Sequence, residues 1–271
     1  MDLSIPIVKN DKKSYSIKSK EIAMLKEARF QKILSILAEN EYETVKNLSE
    51  KLGISMPTVR RDLAEMAAQN LLLRSHGGAM RVDAKQITPP VDFRRSVNAR
   101  EKGSIAKAAA AFVRSNSVIF IDASTTAAHM VEYLDNFRDL IVVTNSLSAA
   151  VHLKNAGIHT YCLGGEVIPS SVAVGGRIAV EAASNFNIDT MFFSSFGIND
   201  NGMIVDPSEE ETELRAYLLR HVGTSVFLCD ESKFGQNAVH NLASLGEVDY
   251  VITNAPLPQH YPAVRKEVIL V

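Results

Sequence analysis

Two adjacent arginines, Arg60 and Arg61, follow a serine and a proline that are typical of a helix start. Ser55 can accept a backbone hydrogen bond as the N-cap residue, and a proline in the first turn costs no helical hydrogen bond. Guanidinium groups near a helix start can donate paired hydrogen bonds to guanine or bind phosphate oxygens. An Arg-Arg pair by itself is more often an ordinary solvated face, so its meaning depends on the surrounding elements. Together with Thr58, these side chains are candidates for contact with DNA.

A second set of polar residues comes directly after predicted strands in the second half of the chain. Ser124, Thr125 and Thr126 offer hydroxyls and free N–H groups at a helix start, which suit a phosphate. Asp122, Asn145 and Lys233 can bind sugar hydroxyls or the phosphate charge. Ser146, Gly164 and Gly165 also follow predicted strands and are further candidates for binding a small effector molecule. The competing interpretation is that such residues only make caps and turns after strands.

Three helices are predicted around the arginine pair. The apolar spacing predicts a first helix over residues 26–38, and Thr44 caps a short second helix that runs to Leu52. Gly53 supplies the turn before the third helix, and the apolar stripe of that helix is formed by Val59, Leu63 and Met66. Helices in this order form a helix-turn-helix, whose third helix lies in the major groove of DNA.

A short hairpin is predicted after the third helix, over residues 71–80. Gly77 and Gly78 would make its turn, and Arg74 and His76 would lie on a wing beside the groove. These features together predict a winged helix-turn-helix.

Three motifs in this region resemble the N-terminal domain of the DeoR-type bacterial transcription regulators. They are Ala-Arg-Phe-Gln-Lys-Ile at residues 28–33, Thr-Val-Arg-Arg-Asp-Leu at 58–63 and Arg-Ser-His-Gly-Gly-Ala at 74–79. The motifs are specific in combination, and none would be specific alone. Chains of this family often begin near the position of Met24, so one hypothesis is that residues 1–23 come from an over-extended gene model. Whether they belong to the native protein stays open.

Helical and strand patterns alternate through the rest of the chain. Strands are predicted at residues 117–121, 140–143, 159–163, 191–195, 225–229 and 250–253, and helices at residues 99–113, 126–134, 147–153, 177–185 and 209–220. This alternation favours an α/β domain with a largely parallel sheet. Ligands of such sheets bind beyond the carboxyl ends of the strands, where the polar candidates lie.

The same strand-end segments resemble the effector domain of DeoR-type regulators, which is related to ribose-5-phosphate isomerase and the sugar-phosphate deaminases. The resemblance covers nearly everything from residue 29 to residue 253, and it implies a phosphorylated sugar or a close metabolite as the signal. Three positions depart from the family pattern: Ser124 stands where glycine is commoner, Arg215 where lysine is usual and Asn254 where aspartate is typical. Because a forked guanidinium and an ammonium bind differently, these departures could alter which effector fits.

Composition and charge divide the chain into a basic first unit and an acidic second unit. A length of 271 residues is consistent with two domains. No apolar run approaches the length of a membrane span, so we expect a cytoplasmic protein. Lys and Arg outnumber Asp and Glu by 14 to 10 in residues 1–81, whereas acids outnumber bases by 21 to 15 in the remainder. Only the first unit has the charge expected of a DNA-binding surface.

We predict four segments: a poorly ordered arm (1–23), a winged helix-turn-helix (24–81), a linker (82–92) and an α/β effector domain (93–271). The prolines at 89 and 90 stop both helix and strand formation, which favours the linker. Cys162 and Cys229 lie in apolar, strand-like runs, so we predict buried thiols rather than a disulfide or a metal pair. No metal site and no cofactor is predicted.

The prediction is a metabolite-responsive DNA-binding regulator, more a repressor than an activator, in which a sugar phosphate favours an arrangement that does not fit the operator. Two half-sites imply a homodimer or a larger homo-oligomer. The alternative is a sugar-phosphate isomerase or deaminase-like enzyme, but the expected Asp-Gly-Ala-Asp loop is absent and residues 196–199 carry no carboxylate. A winged helix used only for protein contacts would not explain the outward arginines. The effector, the operator, the regulated genes and the oligomer size stay open.

Overall fold

Two helices of the first unit begin at residues whose side chains cap them. The computed structural model describes residues 26–40, 42–69, 71–75, 77–81, 91–168 and 170–271. Its first helices are α1 (Lys26–Asn40), α2 (Val45–Leu52) and α3 (Met56–Ala68). Thr44 caps α2 by accepting a hydrogen bond from the Asn47 N–H at 3.0 Å, and Gly53 ends α2 in the left-handed region at φ 66°. A non-glycine side chain would be strained at this φ, so the glycine fixes the turn.

A small antiparallel sheet completes the first unit, which confirms the winged helix-turn-helix. Its strands are β1 (Tyr42–Thr44), β2 (Leu72–Arg74) and β3 (Gly78–Arg81), in the order β1-β3-β2. We did not predict β1, because three residues are too few to show a period. The core of the unit is formed mainly by Ile33, Leu37, Leu48, Val59, Leu63 and Met66.

The second unit is the predicted α/β domain, and its sheet has seven strands, of which β15 at residues 267–270 was not predicted. Its helices are α4 (Val91–Ser96), α5 (Ala99–Ala109), α6 (Thr125–Ala128), α7 (Leu147–Asn155), α8 (Gly176–Ala183) and α9 (Glu209–Leu219). Its strands are β4 (Val118–Ile121), β5 (Ile141–Thr144), β6 (His159–Cys162), β7 (Glu166–Ile168), β8 (Ala173–Gly175), β9 (Thr190–Phe193), β10 (Gly197–Ile198), β11 (Met203–Asp206), β12 (Thr224–Leu228), β13 (His240–Ser244), β14 (Tyr250–Thr253) and β15 (Glu267–Leu270). Short 3₁₀ turns lie at Ala110–Phe112, His129–Tyr133, Glu231–Lys233 and Leu245–Glu247.

The large sheet is parallel throughout and has the order β15-β14-β12-β9-β4-β5-β6. Strands β10, β11 and β13 form a separate antiparallel sheet, and β7 pairs with β8. Because side chains alternate along a strand, neighbouring residues of β9 enter different cores. Phe193 packs with Phe227 toward α8 and α9, whereas Phe192 packs toward α5 and α7. Both faces of the sheet are therefore covered, as expected of parallel sheets.

Two predictions about the second unit need correction. The helix predicted over residues 126–134 is the short helix α6 followed by a 3₁₀ turn. Cys162 is exposed, because β6 is the edge strand of the sheet, whereas Cys229 is buried and its burial raises its pKa to about 12.

Some predictions fall on parts of the chain that lie outside the described residues. These are the arm at 1–23, most of the linker at 82–92, and His76; helix α4 already begins at Val91. Among the helices of the described ranges, none has the length and apolar character needed to span a bilayer.

Candidate functional site

Helix α3 presents its two arginines to solvent and buries the opposite face. The Ser55 hydroxyl caps the helix, accepting from the Thr58 N–H at 3.4 Å and lying 2.9 Å from the Thr58 hydroxyl. Val59 and the other stripe residues are fully buried, whereas Arg60 and Arg61 are exposed. The predicted outward face of the helix is therefore the observed one.

The acid next to the arginines is used inside the unit. The side chain of Asp62 is only 2% exposed, and its carboxylate accepts hydrogen bonds from Arg29 Nε at 2.7 Å and Arg29 Nη2 at 2.9 Å. This paired ion bridge joins α1 to α3 and leaves the charges of Arg60 and Arg61 without compensation from Asp62. This ion pair could not be predicted from the sequence, because its partners are far apart in the chain.

The wing carries Arg74 at the exposed end of β2. The buried Ser75 orders the turn by accepting from the N–H groups of Gly77 at 3.3 Å and Gly78 at 3.1 Å. A Cβ atom on Gly78 would lie 2.2 Å from the Glu43 carbonyl oxygen, so glycine is required by close approach to β1. Arg74 thus lies on the wing of the same unit as α3.

A cavity of about 190 Å³ lies beyond the carboxyl ends of β4, β9 and β12, which are neighbours at the centre of the sheet. Its lining consists of Arg94, Val97, Lys102, Ser124, Thr125, Thr126, Ser194, Ser195, Phe196, Asp206, Pro207, Glu211, Arg215, Asp230, Ser232 and Lys233. Four of the predicted effector residues are among them, namely the three hydroxyl residues after β4 and the lysine after β12.

The loop after β4 is held from behind by Asp122. One carboxylate oxygen of Asp122 accepts from the Ser124 N–H at 3.0 Å, and the Ser124 hydroxyl caps α6 by accepting from the Ala127 N–H at 3.1 Å. As the first residues of α6, Thr125 and Thr126 carry N–H groups that the helix itself does not pair. Because α6 has only four residues, its dipole is small, and the charge for binding an anion must come from side chains.

Two lysines supply that charge, and we predicted only Lys233. The ammonium group of Lys102 donates to the Arg94 carbonyl oxygen at 2.5 Å, and that of Lys233 donates to the Ser195 carbonyl oxygen at 2.5 Å. Neither lysine forms an ion pair within the described residues. Burial, helped by the charge of Lys233, lowers the pKa of Lys102 to about 8, and burial also lowers the pKa of Lys233. An anion in the cavity would favour the charged form of both lysines.

Arg215 forms the centre of a buried acidic cluster on the cavity wall. It donates to Asp122 Oδ2 at 3.0 Å, to Asp206 Oδ2 at 2.9 Å and to Glu211 Oε2 at 3.4 Å. Burial alone would lower the pKa of Arg215, but the three carboxylates raise it overall. Burial raises the pKa of Glu211, and the charge of Arg215 opposes that rise. Carboxylates in this cluster can accept hydrogen bonds from hydroxyl groups of a ligand.

The structure does not bring the other predicted effector residues to this cavity. Asn145 donates to the Val174 carbonyl oxygen at 3.0 Å, and Ser146 caps α7 by accepting from the Ala149 N–H at 3.2 Å. Gly164 and Gly165 follow the edge strand β6, and a Cβ on Gly165 would lie 2.5 Å from the Gly175 carbonyl oxygen. These residues follow β5 and β6, which lie to one side of the cavity, whereas its strands are β4, β9 and β12. Asp122 also contacts protein groups rather than the cavity.

A winged helix with outward arginines, joined to a parallel α/β domain with a charged strand-end cavity, defines a two-domain DNA-binding regulator. Residues 29–85 match the DeoR-like helix-turn-helix domain, and residues 97–255 match the DeoR C terminal sensor domain. The chain therefore belongs to the DeoR family: it is a DNA-binding transcriptional regulator and not an enzyme.

Similar proteins cover most of the chain. The HTH-type transcriptional regulator YulB of Bacillus subtilis (strain 168) is 32% identical over 235 residues, which cover 86% of this chain and 91% of that protein. The glycerol-3-phosphate regulon repressor of Escherichia coli (strain K12) is 31% identical over 231 residues, covering 85% and 91%. A structure of D-ribose-5-phosphate isomerase in complex with phospho-erythronic acid aligns with a TM-score of 0.39 and 17% identity, over 50% of this chain and 54% of that one. A likeness this distant does not bear on what this chain does.

Proposed function

We propose that this regulator represses genes of sugar or carbohydrate metabolism and is released from its operator by a phosphorylated sugar bound in the cavity. The observation that carries the proposal is the placement of Lys102 and Lys233, without ion-pair partners in the described residues, beside the hydroxyls of Ser124, Thr125 and Thr126. A phosphate would pair with both ammonium groups and accept hydrogen bonds from the loop.

The volume of the cavity and the carboxylates in its lining support a small phosphorylated sugar rather than phosphate alone. About 190 Å³ is below the roughly 300–1,000 Å³ of sites for drug-sized ligands, so a small metabolite fits best. Asp206, Glu211 and Asp230 line the cavity together with the lysines. Their carboxylates supply acceptors for sugar hydroxyls. The name of the Escherichia coli relative, a repressor of a glycerol-3-phosphate regulon, agrees with a phosphorylated signal.

On the DNA side, we propose that Ser55, Thr58, Arg60, Arg61 and Arg74 contact the operator in the cytoplasm. The exposed arginines of α3 would read or clamp one half-site, with the wing beside the groove. Because each chain has one such unit, a homodimer or larger homo-oligomer would place two units on two half-sites. We keep His76 as a further candidate from the sequence.

A thermal-shift panel tests the ligand. Glycerol 3-phosphate, ribose 5-phosphate and fructose 6-phosphate are compared with glycerol, ribose and fructose. At 100 times its dissociation constant, a true ligand stabilises the protein by about 2.7 kcal/mol. We expect stabilisation by a phosphorylated compound only, and loss of it in Lys102→Met. The matched control is Lys107→Met, which removes an exposed lysine from the same helix. Equal responses of the two variants, or equal responses to sugar and sugar phosphate, would contradict the proposal.

A further inference from the structure

The segment between the wing and the ligand cavity contacts both. Val97, which follows α4, lines the cavity and also packs against Met80 of the wing sheet, which Tyr42 and Leu73 contact as well. Its neighbour Asn98 lines, with Val97, a crevice of about 280 Å³ between the two units. Val97 therefore contacts both the cavity and the wing sheet.

Asn98 is fixed to the cavity by its side chain. Its backbone is in the left-handed region at φ 52°, and it stands before α5 without capping that helix through its side chain. The Nδ2 atom instead donates to Asp230 Oδ1 at 2.8 Å and to Ser232 Oγ at 3.1 Å, and both acceptors belong to residues of the cavity lining. These bonds join the start of α5 to the loop after β12.

The other end of the segment is held by a group that an anion would attract. Lys102 Nζ donates to the Arg94 carbonyl oxygen, and the Arg94 guanidinium donates to the Ser170 carbonyl oxygen at 2.9 Å. An anion that pairs with Lys102 competes for the bond that holds the end of α4. A ligand in the cavity would therefore affect the hydrogen bonds of Asn98 on one side of Val97 and of the Arg94 carbonyl group on the other.

We infer that Val97 and Asn98 are positioning residues that transmit the occupancy of the cavity to the wing; this inference rests on the proposed function. Arg74 and Ser75 of the wing line the same crevice as Val97 and Asn98. A small shift of the segment would therefore move Arg74 relative to α3, and the two would no longer fit one half-site together. Such coupling requires a segment with two arrangements, biased by ligand and by DNA.

The test uses Asn98→Gly in the full chain, because glycine keeps the left-handed backbone and removes both side-chain bonds. The matched control is Asn116→Gly, since Asn116 is also left-handed, at φ 58°, but is exposed and does not line the cavity. Operator affinity is measured on a duplex selected from random DNA by the wild-type protein. It is measured without ligand and with saturating glycerol 3-phosphate, ribose 5-phosphate or fructose 6-phosphate. The binding of each probe without DNA is measured by thermal shift.

We expect a wild-type loss of operator affinity on ligand binding in the usual range of about 5–150-fold, and the same loss in Asn116→Gly. In Asn98→Gly, that factor should fall toward one at a probe concentration that saturates the variant, while affinity for operator alone stays unchanged. Hydrogen exchange of wing amides 72–81 in the wild type gives a second readout that needs no variant, and we expect it to change when the probe binds.

The outcomes separate the inference from the proposed function. If the wild type binds a probe and Asn98→Gly releases the operator as the wild type does, the inference is wrong and the proposed function stands. Unchanged wing exchange on probe binding overturns the inference in the same way. If no probe stabilises the wild-type protein, both are overturned.

Discussion

Removal of the Arg215 guanidinium should destabilise the sensor domain in a pH-dependent way. The guanidinium is 4% exposed and pairs with three carboxylates that are themselves 7% exposed or less. In Arg215→Met, the carboxylates of Asp122, Asp206 and Glu211 would be left buried without their counter-charge. Breaking a buried ion pair by removing one partner costs about 3–5 kcal/mol. For a domain of this size, such a loss lowers the melting temperature by about 6–20 °C.

Differential scanning calorimetry can follow this change as a lower melting temperature of the protein. The matched control is Arg220→Met, an exposed arginine at the end of the same helix, and it should cost less than about 1 kcal/mol. Arg215→Lys should be intermediate, since an ammonium keeps the charge but loses the forked geometry.

The sign of the pH dependence follows from the direction of the pKa shift. Burial raises the pKa of Glu211 in the folded state, so its stabilising contribution is present at low pH and is lost as the pH rises through the folded pKa. Without Arg215, that pKa should rise further. The destabilisation of Arg215→Met should therefore be larger at about pH 8 than at about pH 5. A melting temperature that falls equally at both pH values, or not at all, would refute the assignment of a charge-balanced cluster.

Three further predictions concern DNA binding, the anion loop and the lysine beside it. The single substitutions Arg60→Ala and Arg61→Ala should each weaken operator binding, by about 1–3 kcal/mol if the lost guanidinium contacts a base. The control substitution Lys32→Ala on α1 should leave operator binding unchanged. Binding titrations at several salt concentrations measure these effects. Thr125→Asp should weaken sugar-phosphate binding by charge repulsion and leave operator affinity without ligand unchanged; a wild-type concentration dependence of operator release would show that the loop is only a structural turn. Because the pKa of Lys102 is lowered from 10.5 to about 8, the unfolding free energy should rise between about pH 8 and 10.5. Ligand affinity should fall as the pH rises through about 8, because the ammonium group then loses its charge. In Lys102→Met, calorimetry across this range should show both effects reduced.

The sequence alone determined the parts of this protein that depend on near neighbours in the chain. Ser55, Gly53 and Thr44 act at the helix ends where they were predicted, because capping and left-handed turns involve residues within one turn of the chain. The alternation of apolar strands and amphipathic helices likewise reported an α/β domain, since burial on both faces of a parallel sheet leaves continuous apolar runs.

Tertiary structure decided which polar groups share a cavity. The chain order of the strands does not give their order in the sheet, so the sequence placed Asn145 and Gly164 beside Ser124, although β5 and β6 lie to one side of the cavity strands β4, β9 and β12. The position of β6 at the edge also exposed Cys162, because an apolar run does not show whether a neighbouring strand will cover it.

The pairing of charged groups was the least predictable feature of the site. Lys102 is separated from Lys233, and Arg215 from Asp122, by long stretches of chain, so the sequence pointed to Lys233 and Asp122 singly and not to these pairs. Only folding brings these groups together away from water. There, burial lowers the pKa of Lys102, and the guanidinium of Arg215 pairs with three carboxylates. Local patterns report the secondary structure of a segment, but the burial and the partners of its charged residues depend on how distant elements pack.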